Sequence, residues 1–308
     1  MINFKYHIVS LVAVFIALSV GIAVGVALSP AVDTGLLRQA EQDRKQVTEL
    51  RAEINRRNAL DAYRQAYDEQ AGAPLIEGAL RDVRVAVVAM PDAPGRVVTD
   101  LTAAVATAGG TVVREVEVRP DAFDPARAET VTETLAGLAD QVPLGENMTQ
   151  AEKVGAALAR SIASPQAEAR DQLAVDLATA LTGGGFATIS RGTDAQAQLV
   201  VVVGAQATDP PVEAELLTAH VQLNLALRDR AAVVVAGPNS AGIEGTDVLA
   251  VRTDPEGSRR LSTVDVADLS SGVVTTVLAG KEQLLGREGR HYGALARAEA
   301  PLPTLPVR

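Results

Sequence analysis

The sequence predicts an α/β protein: an N-terminal transmembrane helix, a coiled-coil helix, then a mostly parallel, Rossmann-like sheet with flanking helices. Three observations predict it. Ile8–Leu28, IVSLVAVFIALSVGIAVGVAL, holds no charged residue. Leu36–Tyr67 is strongly charged and free of Gly and Pro. Beyond it, short runs of Val and Ala alternate with stretches of helical period, the pattern of strands buried on both faces and separated by crossover helices.

At a rise of about 1.5 Å per residue, the first segment is long enough for a ~30 Å hydrocarbon core. A small-residue site at Gly25-Val26-Ala27 also fits a cleaved leader, whose apolar core runs about 7–15 residues; the length favours a retained anchor. Lys5 precedes the segment and Asp33 is the first charge after it, so the positive-inside bias keeps residues 1–7 cytoplasmic and exports the rest. Ala13, Ala17, Gly21, Gly25 and Ser29 recur every four residues. Such a small-residue face lets two backbones approach, with Gly21 and Gly25 as the pairing positions of a parallel dimer.

Ser29-Pro30 follows the anchor, and Asp33-Thr34 offers caps for a new helix. Ala40, Val47 and Ile54 share one heptad position and Leu36 and Leu50 its partner, while Asp43 and Arg57 interrupt the second set. Val47, Leu50 and Ile54 thus form a short seam for a parallel coiled coil, strengthened by tethering beside a pairing membrane helix; the other reading is a solvated helix packed on its own domain. Gly72-Ala73-Pro74 is expected to end it. Strands are predicted at Val83–Met90, Thr111–Val118, Phe186–Ser190, Gln198–Val203, Ala231–Ala236 and Thr246–Val251. Helices are predicted at Val97–Ala108, 129–139, 150–163, 166–182, Glu213–Arg228 and Val273–Leu285, with a loop at Asp254–Arg260. The domain plan is then a cytoplasmic tip 1–7, an anchor 8–28, a stalk 33–70, an exported α/β domain 75–293 and a disordered, Pro-containing tail 294–308.

The balance of 28 Lys and Arg against 38 Asp and Glu gives a net charge of −10, which argues against nucleic acid and anionic surfaces as partners. With no Cys, disulfides and thiolate chemistry are excluded, and aromatics at 3% with no Trp leave no stacking platform. Ligands of such sheets collect where the loops leave the carboxyl ends of the strands. Those loops supply Asp92, Arg96, Gln206, Asp209, Asn239 and Ser240, residue types that also serve turns and caps with no ligand present. PDAPGR after the first strand has neither a dinucleotide-binding nor a P-loop pattern, and no nucleophile elbow is present. His7, His220 and His291 are scattered, with His220 inside a helical run where packing is the commoner role. Soft Cu(I) calls for thiolate, thioether or imidazole, yet Met1, Met90 and Met148 are the only methionines and none stands at ligand spacing with a histidine. No cofactor is evident and no enzyme is expected.

Several stretches, in order, resemble the copper transporter MctB family of mycobacteria and related actinobacteria. They are HIVSLVAVFIALSVGIAVG (His7–Gly25) with the charged helix behind it, Pro91-Asp92-Ala93, LSTVD (Leu261–Asp265), VTTVLA (Val274–Ala279) and His291-Tyr292-Gly293. The family-motif positions are Ser262, Thr263, Asp265, His291 and Tyr292. The resemblance implies a cell-envelope protein linked to copper efflux and copper tolerance, described as pore-forming in the outer membrane; copper enters by resemblance only. Related members are also discussed as partners in controlling cell-wall hydrolysis. A single apolar helix and strands apolar on both faces sit poorly with a wide pore. The expectation is therefore a membrane-anchored, homodimeric envelope protein with a copper role. The alternative is a non-transporting interaction module regulating a cell-wall hydrolase, an envelope partner met at the coiled coil.

Overall fold

The computed structural model describes residues 4–138, 142, 144–145, 147–166, 168–190, 192–239 and 243–304, with the side chains of 4–5 and 28–37 excepted. The chain divides into two units, residues 1–64 and 65–308. Helix α1, Phe4–Ile76, supplies all the described structure of the first unit. Within it Tyr6–Ala27 has a mean hydropathy of 2.7 over 22 residues, and its described side chains are exposed, as suits a lipid-facing helix. The expected break at Ser29-Pro30 and stop at Gly72-Pro74 are corrected: helical backbone runs through both. Each Pro lacks one donor, and the bonds of neighbouring turns carry the helix past it.

The second unit is a doubly wound α/β fold, as its alternating pattern predicts. After the end of α1 come β1 (Arg84–Ala89), α2 (Gly95–Thr107), β2 (Thr111–Val118), α3 (Ala128–Ala136), α4 (Gln150–Ile162) and α5 (Gln172–Gly183). Then follow β3 (Ala187–Ile189), β4 (Leu199–Val203), α6 (Ala214–Arg228), β5 (Ala232–Ala236), α7 (Asp247–Thr253), α8 (Pro255–Arg260), β6 (Ser262–Val264), α9 (Ser270–Leu284) and β7 (His291–Tyr292). The sheet order is β3-β2-β1-β4-β5-β6-β7. All pairs are parallel except β2 with β3.

Strand alternation sorts the core into two layers. Val85, Val87, Val201 and Val234 pack beneath α2 and α9 through Leu101, Val105 and Val277. Ala86, Val88, Val200 and Val233 pack on the other face against Val154 and Leu158 of α4, Leu177 of α5 and Val221 of α6. All five residues of β4 and all five of β5 are buried, which is why their sequences are nearly pure Val and Ala.

Three expectations fail around the far edge. Thr246–Val251 is a helix, not a strand: α7 begins at Asp247. The expected loop at Asp254–Arg260 is α8, where the Asp254 side chain accepts from the Glu256 and Gly257 amides and Pro255 opens the first turn, an ordinary start signal. The strand belongs instead to Ser262–Val264. Nor is the tail unstructured from Ala294 where it is described: the Glu299 amide donates to His291 O at 2.7 Å and Gly293 to Ala300 O at 3.0 Å. The helix expected from 166 starts at Gln172, where Asp171 caps the Ala174 amide.

Two helical glycines separate propensity from packing. A Cβ on Gly155 would stand 2.8 Å from the Ala226 Cβ and 3.0 Å from the Leu223 Cα, where α4 meets α6, while Gly183 has nothing within 4 Å. Gly183→Ala is expected to stabilise by up to about 1 kcal/mol, and Gly155→Ala to destabilise by about 1–3 kcal/mol, measured by urea unfolding. Equal effects would show that the α4–α6 approach is not constrained.

Candidate functional site

The chain reverses direction across the sheet at β1: β2 lies on one side of it and β4 on the other. Loops leaving β1 and β4 therefore diverge and open a crevice at their carboxyl ends. A cavity of about 610 Å³ lies here, bordered by Pro91 and Asp92 after β1, Pro120 and Phe123 after β2, and the first turns of α6. That volume is within the range of small-molecule sites.

The polar centre of this region is His220 of α6 with Asp247, the first residue of α7. The His220 Nδ1 is 2.6 Å from Asp247 Oδ1, and the two side chains are only 6% and 3% exposed. Asp247 Oδ2 accepts the Ala205 amide at 3.0 Å, just past β4, so each carboxylate oxygen has a partner. Gly204 permits this approach, since a Cβ there would stand 2.9 Å from Asp247 Cβ and Oδ2. Asp247 Oδ1 accepts from His220 Nδ1–H, and this contact fixes the ring plane. The Phe123 ring packs on His220 with centroids 4.4 Å apart. His220 Nε2 is buried without a partner, as are both amide atoms of Asn224 one turn further along α6.

Of the residues expected in the crevice, only Asp92 borders this cavity. It is exposed, with φ +61°, a left-handed turn position that Asp tolerates. Arg96 points elsewhere, 3.4 Å from Asp100 on its own helix and 76% exposed. Gln206, Asp209 and Asn239 are exposed in their loops, and Ser240 lies outside the described residues. The sequence predicts a packed helical residue at His220 and a strand over Asp247, with no contact between them. No local spacing joins residues 27 apart in the chain, so only the fold could pair them.

The family-motif residues do converge, at the other edge of the sheet. Arg252 of α7 and Asp265 after β6 are both fully buried and meet at 2.7 Å. The guanidinium also donates from Nε to Thr263 Oγ1 at 2.8 Å, from Nη1 to Ala296 O at 2.8 Å and from Nη2 to Tyr292 O at 2.8 Å. Asp265 accepts the Ala294 and Leu295 amides at 2.9 and 3.1 Å. His291 lies between Ser258 Oγ (2.8 Å from Nε2) and Thr263 Oγ1 (3.0 Å from Nδ1). Ser262 Oγ accepts from Gln283 Nε2 at 2.8 Å, and Tyr292 donates its hydroxyl to Glu282. Burial, then Arg252, pushes His291 down to about 4; burial and Glu282 push the Tyr292 hydroxyl up. A cluster in which Gln283 Oε1 is buried without a partner but the ionic groups are all paired reads as a structural lock.

Fold and crevice together define an α/β protein of doubly wound type carrying an N-terminal apolar helix of membrane-spanning length. The family model described as "Copper transport outer membrane protein, MctB" matches residues 1–303, and the chain belongs to that family. It is 29% identical to the copper transporter MctB of Mycobacterium bovis and to that of Mycobacterium tuberculosis, over 95% of this chain and 96% of each relative. It is accordingly a copper-related protein of the membrane or envelope. Among the described residues, no group of three or more His, Cys, Asp or Glu side chains is placed to hold a metal. Met90 is buried in the core, and the Met148 sulfur accepts the Gly145 amide at 3.0 Å.

Two predictions follow from these clusters. Asp247→Ala leaves the buried His220 Nδ1 and the part-buried Ala205 amide unpaired, so a loss of about 2–4 kcal/mol is expected in urea unfolding; a loss below 1 kcal/mol would mean that the pair does not hold the crevice. For His291, the unfolded ring protonates near 6.5 and the folded ring near 4. As pH falls from 6.5 to 4 the unfolded chain takes up a proton that the native one refuses, so stability is full above the window and declines by about 3 kcal/mol across it. His291→Gln is expected to remove that part of the slope, and an unchanged slope in the variant would assign it to other groups.

Proposed function

We propose that this chain serves copper efflux as a single-span, homodimeric envelope protein that is not an enzyme, with copper as cargo. Residues 1–7 remain cytoplasmic and the α/β unit lies outside the membrane. The observation that carries the reading is the family match over residues 1–303, which takes in the apolar helix, the charged helix and the α/β unit alike. Supporting it, the strands form an open sheet with helices on both faces, a binding and docking architecture whose interior is filled with side chains. Copper would then move along a route that this protein helps to assemble. The family description names an outer membrane, and residence there would put residues 1–7 on its periplasmic side in place of the cytoplasm.

A second reading has its own support. Val47, Leu50 and Ile54 are 45%, 50% and 54% exposed on α1, an apolar stripe that a parallel partner helix would cover. A non-transporting dimer that regulates a cell-wall hydrolase through this coiled coil would use the same stripe.

The absence of cysteine makes the stalk directly testable. In the full chain in membranes, Leu50→Cys is expected to form an intermolecular disulfide on mild oxidation, because like seam positions of a parallel dimer meet within bonding reach. Ala52→Cys, on the opposite face, should stay reduced. Equal cross-linking at both positions would dismiss the seam. For function, cells lacking the protein should accumulate copper, and the full chain should reverse this. Unchanged copper content beside a separation defect would favour the hydrolase-regulating reading.

A further inference from the structure

A second groove, of about 500 Å³, runs along α4 and α6 toward their carboxyl ends, with apolar walls from Met148, Ala156, Ala159, Leu225 and Ala226. Most of its charged lining is matched within the protein. Arg260 pairs with Asp229 and with Glu256, Arg160 pairs with Asp171, and Glu152 accepts the Thr149 amide at 2.7 Å in the cap of α4. Arg230 is the exception among the described lining residues. Its Nε donates to Ala163 O at 3.3 Å, the residue that closes α4, and it forms no ion pair with any described carboxylate. The two Nη nitrogens of this half-buried side chain make no hydrogen bond and keep open surface.

A basic side chain at a helix end commonly meets the last carbonyls and the negative end of the dipole. That accounts for the Nε bond and leaves both Nη nitrogens unused. Arg160, in the last turn of α4, also stands near: burial and then Arg160 lower the Arg230 pKa, against the opposing pull of Asp171 and Glu168. The groove thus holds a guanidinium without a close counter-charge beside an apolar trough.

We propose that this groove binds a small organic carboxylate, its head on the Arg230 guanidinium and its apolar body along Ala156, Ala159 and Leu225. The planar fork of a guanidinium presents parallel donors to the two oxygens of a carboxylate, and one negative charge there answers the one lining charge that the protein leaves unmatched. A neutral molecule of the same shape gains the apolar contact alone, and an ammonium meets Arg230 and Arg160 as like charges. The groove walls separate Arg230 from an ordinary surface arginine, because a head group partly screened from water feels a lower effective dielectric. The inference rests neither on copper efflux nor on dimerisation.

The test uses the full chain in detergent with three probes of one shape: 4-phenylbutanoate, 4-phenylbutanol and 4-phenylbutylammonium. Calorimetric titration is expected to give saturable one-to-one binding of the carboxylate, about tenfold weaker binding of the alcohol, and none of the ammonium. Arg230→Gln should weaken the carboxylate to the level of the alcohol. Arg230→Lys, which keeps the charge and loses the fork, should weaken it by a smaller factor, and circular dichroism reports whether each variant is folded. Arg96→Gln, on the exposed side of α2, should leave binding unchanged. Equal binding of carboxylate and alcohol, no saturable binding at millimolar concentration, or an equal loss in Arg96→Gln would each overturn the proposal. So would undiminished carboxylate binding in folded Arg230→Gln or, where that variant unfolds, in Arg230→Lys. Binding of a glutamate-bearing hexapeptide where 4-phenylbutanoate fails would also overturn it, reassigning the groove to a partner protein's segment.

Discussion

The second unit depends on one buried ion pair, Arg252 with Asp265. Taking a guanidinium and a carboxylate out of water costs several kcal/mol for each ion, and their mutual attraction offsets this only where the remaining donors and acceptors are also paired. Here they are. Arg252 reaches β6 through Thr263, β7 through Tyr292 and the following segment through Ala296, and Asp265 takes the two amides of Ala294 and Leu295. Burial lowers the Arg252 pKa, and the Asp265 carboxylate opposes that shift in part. Gly293, at φ +132°, is part of the arrangement: a Cβ there would stand 2.0 Å from Asp265 Oδ1. The short β6 and β7 could hold the sheet's edge by few ladder bonds alone; the ion pair ties them to α7 and to the chain beyond.

Helix α7 links this lock to the crevice. Its first residue, Asp247, is buried against His220 and the amide after β4, and five residues later Arg252 is buried against the sheet's edge. A seven-residue helix has little stability of its own, so its position is set by these polar contacts at its two ends together with Val248 and Val251, which are buried in the core. Asp247, which orients His220, and Arg252, which holds the far edge, thus stand on one short helix.

The same contacts account for what could and could not be read from the sequence. VRVAVVAM, QLVVVV and AVVVA are legible because strands buried on both faces need apolar residues at every position, and β2 falls at the expected Thr111–Val118. Ser262 and Thr263 broke that rule. They lie in a buried strand with polar side chains because Gln283, Arg252 and His291 satisfy them, and those partners come from three other elements. Hydropathy therefore moved the strand to the more apolar Thr246–Val251, whose Val248 and Val251 are core residues of a helix. Asp254-Pro255-Glu256 did carry a helix-start signal, and reading it would have recovered α8. Asp92 was found because turns at strand ends are local features. His220–Asp247 was not, because it is a tertiary pair.

The first unit obeys a different physics. In Tyr6–Ala27 and again in residues 38–64, nearly every described side chain is exposed, so packing within the unit contributes almost nothing to the helix. Pairs such as Arg57–Glu53 at 2.5 Å and Arg64–Asp61 at 3.0 Å add only about 0.2–0.5 kcal/mol each. Burying Val47, Leu50 and Ile54 would contribute about 1.5–3 kcal/mol per side chain, and lipid would do the same for the apolar segment. The forces able to hold this helix therefore lie outside the unit's own packing, whereas the α/β unit carries a core of its own.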